Sequence, residues 1–387
     1  MKTSRYTTSR AKACKNCFRA KTKCDRAVGG CSRCVARGVD CVYPVIVSTS
    51  PVTSSGNSSN AIDNESRASE TSLLAQVQGQ DEEDPLDFTN LELVCPINAE
   101  EISNRWLHSY IPIPGQIAKD YPPNVAGFSY RMLKSYTTMT VRGRGIPPFI
   151  HWSQVAAEPA NLLLGTCLSL VRICDRPLRG TEDAATEILQ REMNSIFENY
   201  GTYDDMTLLA AFQAFLLYTM TLFFQLSQGP NPSLRHAMMN LQELAFLTSR
   251  QGLVCVAEQQ RIRPGWESWI VAEAKRRTLF TMYLFDGVLT SEAGQPTFLG
   301  IELQGLLAPA AKSLWYTKLR YDWEAAYNFH LADWVEGGLC IDELWPIPAE
   351  LDECGIMKRR TRVANWLEDL DEFGTMLYAV TSCTHGG

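Results

Sequence analysis

The sequence of 387 residues predicts a small cysteine-rich domain, a flexible linker and a mainly all-α domain, in that order along the chain. Three observations support this division. Six regularly spaced cysteines lie near the start, residues 48–60 are mostly Ser, Thr, Asn and Gly, and apolar residues recur at helical spacing from about Asn98 onward. The predicted boundaries are residues 1–46, 47–96 and 97–387.

The cysteines repeat one spacing, C-x2-C-x6-C, twice. They are Cys14, Cys17, Cys24, Cys31, Cys34 and Cys41. Two tetrahedral zinc ions need eight metal–sulfur bonds, and six thiolates supply eight only if two of them bridge both ions. The first cysteine of each copy, Cys14 and Cys31, is the symmetric choice for a bridge. The spacing therefore predicts a cluster of two zinc ions.

A disulfide framework is the alternative use of six cysteines, and it requires an oxidising compartment. Residues 1–12 are basic and lack the apolar core of a signal peptide, so we favour zinc.

Charge is distributed unevenly along the chain. Residues 1–45 contain eleven Lys or Arg and two Asp, although the whole chain has 36 Lys and Arg against 43 Asp and Glu, for a net charge of -7. A basic segment of this density favours a nucleic-acid phosphate backbone as its partner, with strongly salt-dependent binding.

The cysteine spacing, followed by Tyr43-Pro44, resembles the fungal Zn2Cys6 (zinc binuclear cluster) transcription factors. In that family the first and fourth cysteines bridge, and a short helix after the first C-x2-C enters the DNA major groove over a CGG-type triplet. The resemblance implies that Lys21 reads bases and that Arg19 and Lys23, on the same helix, contact phosphate. Lys15 and Arg26 complete the predicted DNA-binding set.

The sequence of the linker indicates neither a coiled-coil zipper nor a folded core. Between residues 61 and 84 only Leu73, Leu74 and Val77 cluster, about one helical turn, so a homodimer would form without an evident coiled coil.

Residues 81–93 interleave acidic and bulky apolar side chains. This pattern is typical of an activating segment that docks on a coactivator or the transcription machinery, and equally of a solvated lead-in to a domain.

Helical periodicity dominates the rest of the chain. A capping box at Asn98 and Glu101 predicts the first helix. Further helices are predicted at residues 128–141, 159–174, 182–200, 206–226, 232–248, 266–289, 313–335 and 359–382. The uncharged stretch 206–228 is long enough to cross a membrane, but Asp204-Asp205 before it and the polar residues within it favour a buried central helix and no membrane.

The helical region also resembles the regulatory middle domain of the same family, on the phrases Pro147-Pro148-Phe149-Ile150-His151, Trp266-Glu267-Ser268-Trp269-Ile270 and Asp371-Glu372-Phe373-Gly374. The phrases are similar to those of regulators encoded beside fungal biosynthetic gene clusters. We expect Arg276 and Arg277 to lie on a solvated or salt-bridged helix face, and the alternative is contact with DNA or an effector. The basic run 358–362 is either a nuclear import signal or part of an amphipathic helix.

Together these features predict a nuclear, sequence-specific DNA-binding regulator of RNA polymerase II transcription, an activator, with two Zn2+ and double-stranded DNA as its partner. The alternative is a zinc-dependent scaffold that binds RNA or protein. Enzyme motifs such as G-x-S-x-G and H-E-x-x-H are absent from the sequence, which argues against catalysis.

Overall fold

A computed structural model describes most of the chain outside the linker. The described residues are 17, 22–25, 31–37, 41, 86–109, 111, 116–119, 122–156, 162–175, 180, 182–226 and 232–385. The chain divides into two compact units, Met1–Gly79 and Gln80–Gly387. In the described part of the first unit, Cys17 is helical and helix α1 is Ser32–Ala36.

The described part of the second unit is mainly helical. Its α-helices are α2 (Glu100–Ser103), α3 (Pro123–Val141), α4 (Ser153–Ala156), α5 (Leu162–Leu170), α6 (Glu182–Asn199), α7 (Asp205–Phe224), α8 (Pro232–Arg250), α9 (Val256–Gln259), α10 (Trp266–Glu292), α11 (Lys312–Trp315), α12 (Arg320–Asp333), α13 (Glu353–Leu367) and α14 (Glu372–His385). Short 3-10 helices lie at Arg105–Ser109, Val171–Cys174, Tyr200–Thr202, Ile301–Leu303 and Ile341–Leu344.

Two short antiparallel strand pairs tie distant parts of this unit together. Strand β1 (Leu93–Val94) pairs with β3 (Val254–Cys255), with Leu93 opposite Cys255. Strand β2 (Ala118–Lys119) pairs with β4 (Thr297–Phe298), with Lys119 opposite Thr297. The expectation of a mainly all-α region is confirmed.

Helices α7 and α10 form the centre of the helical unit. A helix that is apolar around its whole circumference has no solvent face and is stable when other helices surround it. Helix α7 is buried on every side from Leu208 to Phe224. It is long and apolar enough to cross a membrane, but 94% of its most apolar window is buried within the protein. The predicted central helix 206–226 is therefore observed as Asp205–Phe224, which begins one residue earlier and ends two residues earlier.

Helix α10 carries charged side chains into the core. The side chains of Arg277 and Glu273 are 0% exposed, and Arg277 Nε donates to Glu273 Oε1 at 2.6 Å while its Nη1 donates to Asp371 Oδ2 at 2.5 Å. Arg276 donates to Glu273 Oε2 at 2.8 Å. These arginines are salt-bridged, as one alternative of the prediction states. The other alternative, a solvated helix face, is wrong because both side chains are buried. Burial alone would lower the pKa of Arg277, yet the two carboxylates raise it above its usual value.

Two long predicted helices are each interrupted in the structure. The predicted helix 313–335 is divided into α11 and α12, and the predicted helix 359–382 is divided into α13 and α14. Asp371 explains the second break: its Oδ1 accepts the backbone N–H of Gly374 at 2.9 Å, which caps α14, while its Oδ2 binds Arg277. A tertiary ion pair therefore decides where α14 begins.

The basic run 358–362 lies in α13, where two of its arginines fix neighbouring segments. Arg359 Nε donates to the carbonyl of Glu343 at 2.7 Å, and Arg362 Nε binds the Glu343 carboxylate at 2.7 Å. Lys358 is exposed and pairs with Glu336 at 2.6 Å. The contacts of Arg359 and Arg362 are those of an amphipathic helix packed on its neighbours, so this basic run does not require a role as an import signal.

The described end of the acidic segment packs against the helical unit. Leu86, Phe88 and Leu91 are half-buried against the cluster that contains Trp266 and Trp269. The backbone N–H of Glu92 also donates to Ser268 Oγ at 3.3 Å. The contacts of residues 86–93 are those of a domain lead-in. Residues 81–85 lie outside the described residues.

Candidate metal centre

The described cysteines of the first unit form two triads that share one member. The sulfur atoms of Cys17, Cys24 and Cys31 all lie within 4.8 Å of one another, and so do those of Cys31, Cys34 and Cys41. Cys17, Cys31 and Cys34 are buried, and Cys24 and Cys41 are partly buried. Cys14 lies outside the described residues. Cys31 is thus placed where a thiolate shared between two metal ions would lie.

The sulfur spacing fits tetrahedral zinc. Zinc–sulfur bonds of about 2.3 Å at a tetrahedral angle separate two ligand sulfurs by about 3.8 Å. Cys17 Sγ and Cys31 Sγ are 3.6 Å apart. The backbone N–H of Cys31 also donates to Cys41 Sγ at 3.1 Å, the kind of contact that stabilises thiolate charge. Sulfur donors in this arrangement suit zinc and other soft metal ions.

Helix α1 holds the second half of the cysteine repeat. Cys31 precedes the helix in an extended conformation, and Cys34 lies in its first turn, so the C-x2-C spacing brings both sulfurs to the helix N-terminus. Asp25 accepts the backbone N–H of Ser32 at 3.1 Å and also accepts from the Ser32 hydroxyl. The Asp25 carboxylate therefore joins the segment after Cys24 to the positive end of α1.

Of the predicted DNA-binding residues, the structure describes Lys23. Its side chain is exposed, beside the partly buried Cys24. Lys15, Arg19, Lys21 and Arg26 lie outside the described residues. The backbone N–H of Thr22 donates to the carbonyl of Cys17 at 3.0 Å.

Comparison with known families identifies this region. Residues 12–50 match the family model described as the fungal Zn(2)-Cys(6) binuclear cluster domain. No curated protein and no solved structure matches the chain. The chain thus carries a Zn2Cys6 domain, and this domain binds two zinc ions.

The domain defines the class of protein. Zn2Cys6 domains of this type belong to DNA-binding transcription regulators of fungi and not to enzymes. The match covers residues 12–50, so the assignment of the helical unit as the regulatory middle domain of the family stays a prediction.

Asp25 has a role in the first unit that the cysteine spacing does not predict. Its carboxylate accepts from both the backbone N–H and the hydroxyl of Ser32. The signal that could have found it is Cys31-Ser32, where a helix starts at the second C-x2-C and leaves N–H groups to be satisfied.

Proposed function

We propose that this protein is a nuclear, sequence-specific DNA-binding regulator of RNA polymerase II transcription that reads CGG-like triplets through its two-zinc cluster. The observation that carries the proposal is the pair of cysteine triads sharing Cys31 within a segment that matches the Zn2Cys6 family. In this proposal Cys14 and Cys31 bridge the two zinc ions. Cys17 and Cys24 complete the coordination of one ion, and Cys34 and Cys41 complete that of the other.

Base reading is assigned to Lys21 and phosphate contact to Arg19, Lys23, Lys15 and Arg26. A lysine at a groove-facing position donates to guanine O6 and N7, whereas the flanking cations neutralise phosphates and carry no sequence information. The exposed Lys23 side chain is available for such a contact. The excess of basic residues in 1–45 supports the electrostatic part of the binding.

Binding of variants to matched duplexes tests this proposal. Lys21→Ala is expected to lose about 1–3 kcal/mol of discrimination between a CGG duplex and a scrambled duplex. Arg19→Ala is the matched control, because it should weaken binding to both duplexes alike and lower the salt slope by about 1. Fluorescence anisotropy with labelled duplexes at several salt concentrations measures both quantities.

Equal loss on both duplexes for Lys21→Ala would remove its base-reading role. Equal affinity of the wild-type protein for single-stranded RNA and for the CGG duplex would favour the zinc-dependent RNA- or protein-binding scaffold.

The proposed sign of regulation is activation, and it rests on the acidic residues Asp81, Glu82, Glu83 and Asp84. The neighbouring apolar residues Leu86 and Phe88 pack against the helical unit, so deletion of the whole segment would disturb that unit. Neutralising the four acids to Asn or Gln is therefore the sharper change. Reporter output is expected to fall at unchanged DNA affinity, and unchanged output would withdraw the activating role.

A further inference from the structure

A cavity of about 230 Å³ lies in the helical unit, at the pair of strands β2 and β4. Apolar side chains such as Met238 and Ala293 form much of its wall. An engineered protein cavity of about 150 Å³ binds benzene, so this cavity has room for a benzene-sized ring with a short substituent. The polar side chains of the wall decide which substituent fits.

Gln242, in helix α8, places hydrogen-bond donors in this wall. The residue is 1% exposed to solvent. Its Oε1 accepts the backbone N–H of Trp106 at 3.2 Å, and because that N–H can only donate, the contact fixes which way the side-chain amide points. The Nε2 group carries two donors, and neither has an acceptor in the described part of the chain. An acceptor atom on a ligand would satisfy a donor that is otherwise desolvated and unpaired.

The buried charges beside the cavity sum to zero. The Arg105 guanidinium donates to Asp286 Oδ2 at 3.1 Å and to Glu302 Oε1 at 2.9 Å. Lys119, which also lines the cavity and is partly buried, is the second cation. Burial lowers its pKa to about 8, so the ammonium is still protonated at pH 7. Two cations therefore balance two carboxylates.

This balance disfavours a charged ligand. Glu302 Oε2 is buried and has no hydrogen-bond partner among the described residues, so a bound anion would add an uncompensated negative charge. A bound cation would add an uncompensated positive charge next to Arg105 and Lys119. His108 is neutral at pH 7 because burial lowers its pKa, and Arg235 is exposed, so that solvent screens its charge.

We propose that this cavity binds an uncharged molecule with an apolar, benzene-sized body and a carbonyl oxygen that accepts a hydrogen bond from Gln242 Nε2. The apolar wall takes the body of the ligand, and the fixed amide of Gln242 orients it. This site is independent of the zinc cluster and of DNA recognition, so its test does not depend on the proposed function above.

Calorimetric titration of the full-length, zinc-loaded protein with three probes of similar shape tests the proposal. The probes are the ketone 4-phenylbutan-2-one, the anion 3-phenylpropionate and the cation 4-phenylbutan-2-amine. At pH 7 the ketone is expected to bind about 10-fold or more tightly than either ion, because each ion adds an unbalanced charge to a desolvated wall. Equal affinities of the three probes, or no binding of the ketone at millimolar concentration, would overturn the proposal.

Two isosteric variants shift the charge balance in opposite directions. Gln242→Glu keeps the acceptor for Trp106 but removes the Nε2 donors and adds a negative charge. It should weaken ketone binding by about 3- to 10-fold and strengthen binding of the amine. Asp286→Asn removes a negative charge and should strengthen binding of 3-phenylpropionate. A variant that only disturbed the packing would weaken all three probes together, and that result for both variants would contradict the charge account.

A matched control and a blocking variant locate the binding. Gln251→Glu makes the same chemical change at an exposed position outside the cavity and should leave all three affinities unchanged. Ala293→Phe adds a ring to the cavity wall and should abolish ketone binding. Thermal unfolding shows whether each variant is folded, and the comparison of probes on the wild-type protein stands without any variant. Ketone binding that a folded Ala293→Phe protein retains in full would place the site elsewhere and refute the proposal.

Discussion

At the residue scale, Cys31 is the cysteine that the two described triads of the first unit share. Its sulfur belongs to both cysteine triads, and its side chain is 0% exposed. A bridging thiolate supplies a bond to each metal ion, so its removal affects both sites. A cysteine that touches neither triad should have no such effect.

Cys31→Ala is therefore expected to reduce the zinc content from two ions per chain to fewer than one, because both tetrahedra lose a ligand. Native mass spectrometry of the full chain measures the stoichiometry. Cys354→Ala, at an exposed cysteine of the helical unit, is the control and should retain two ions. A Cys31→Ala protein that still holds two zinc ions would exclude the bridge.

In the helical unit, Arg277 is the residue that joins two buried carboxylates. Its side chain is 0% exposed, pairs with Glu273 and Asp371, and lies 4.5 Å from the centre of the Trp315 ring. Arg277→Met leaves two buried carboxylates without this partner, and such a change lowers the free energy of unfolding by about 3–5 kcal/mol. Urea unfolding followed by tryptophan fluorescence measures the effect.

The exposed Arg360 is the matched control, and Arg360→Met is expected to change the free energy of unfolding by less than about 0.5 kcal/mol. Similar unfolding curves for the two variants would show that the buried ion pairs do not stabilise the helical unit.

At the element scale, the strand pair β1–β3 depends on a glycine. Gly252 has φ of +110°, a conformation that other residues rarely adopt, and a Cβ there would lie 2.4 Å from Leu93 Cβ and 2.8 Å from the backbone nitrogen of Val94. The close approach lets Leu253 N donate to the carbonyl of Val94 at 2.9 Å. A side chain at position 252 would push the two strands apart.

Gly252→Ala is expected to lower the free energy of unfolding by more than about 1 kcal/mol, from backbone strain and the contact with Leu93. Gly165→Ala is the control because a Cβ there meets nothing within 4 Å and the residue lies inside helix α5. It should raise stability by about 0.5–1 kcal/mol. Thermal unfolding separates the two outcomes, and a Gly252→Ala protein as stable as wild type would contradict the steric argument.

The divided helices show what local pattern leaves undecided. The apolar spacing of residues 359–382 is compatible with one long helix, but Asp371 caps α14 and binds Arg277, which is 94 residues away in the sequence. The cap gains a hydrogen bond, and the ion pair satisfies a buried arginine. Neither contribution is visible in the sequence around Asp371.

At the scale of the whole molecule, the two units are stabilised by different physics. The described first unit has a cysteine cluster as its buried core, whereas the second has an extensive apolar core around α7 and α10. Metal–thiolate bonds replace hydrophobic burial in domains too small to have a core. The response of the protein to chelation should reveal this difference.

Removal of zinc by an excess of chelator is expected to abolish DNA binding and leave most of the far-ultraviolet circular dichroism signal of the helices. Re-addition of zinc under reducing conditions should restore DNA binding, and magnesium should not, because thiolates prefer the softer ion. Loss of most of the helical signal on chelation would show that the helical unit also requires metal.

The sequence by itself determined the metal and the main architecture. Cysteine spacing is a local property, since ligands close in sequence surround an ion with few backbone choices, and Cys17, Cys24, Cys31, Cys34 and Cys41 indeed lie together. Helical periodicity likewise located the central helix α7. Both signals depend on neighbours along the chain.

Only the tertiary structure decided the features that join distant residues. The buried state of Arg277, the start of α14 at Asp371 and the assembly of Arg105, His108 and Lys119 into one cavity wall all follow from packing. Side chains separated by many residues meet because burial of apolar surface brings their elements together, and the sequence near each of them carries no record of the partner.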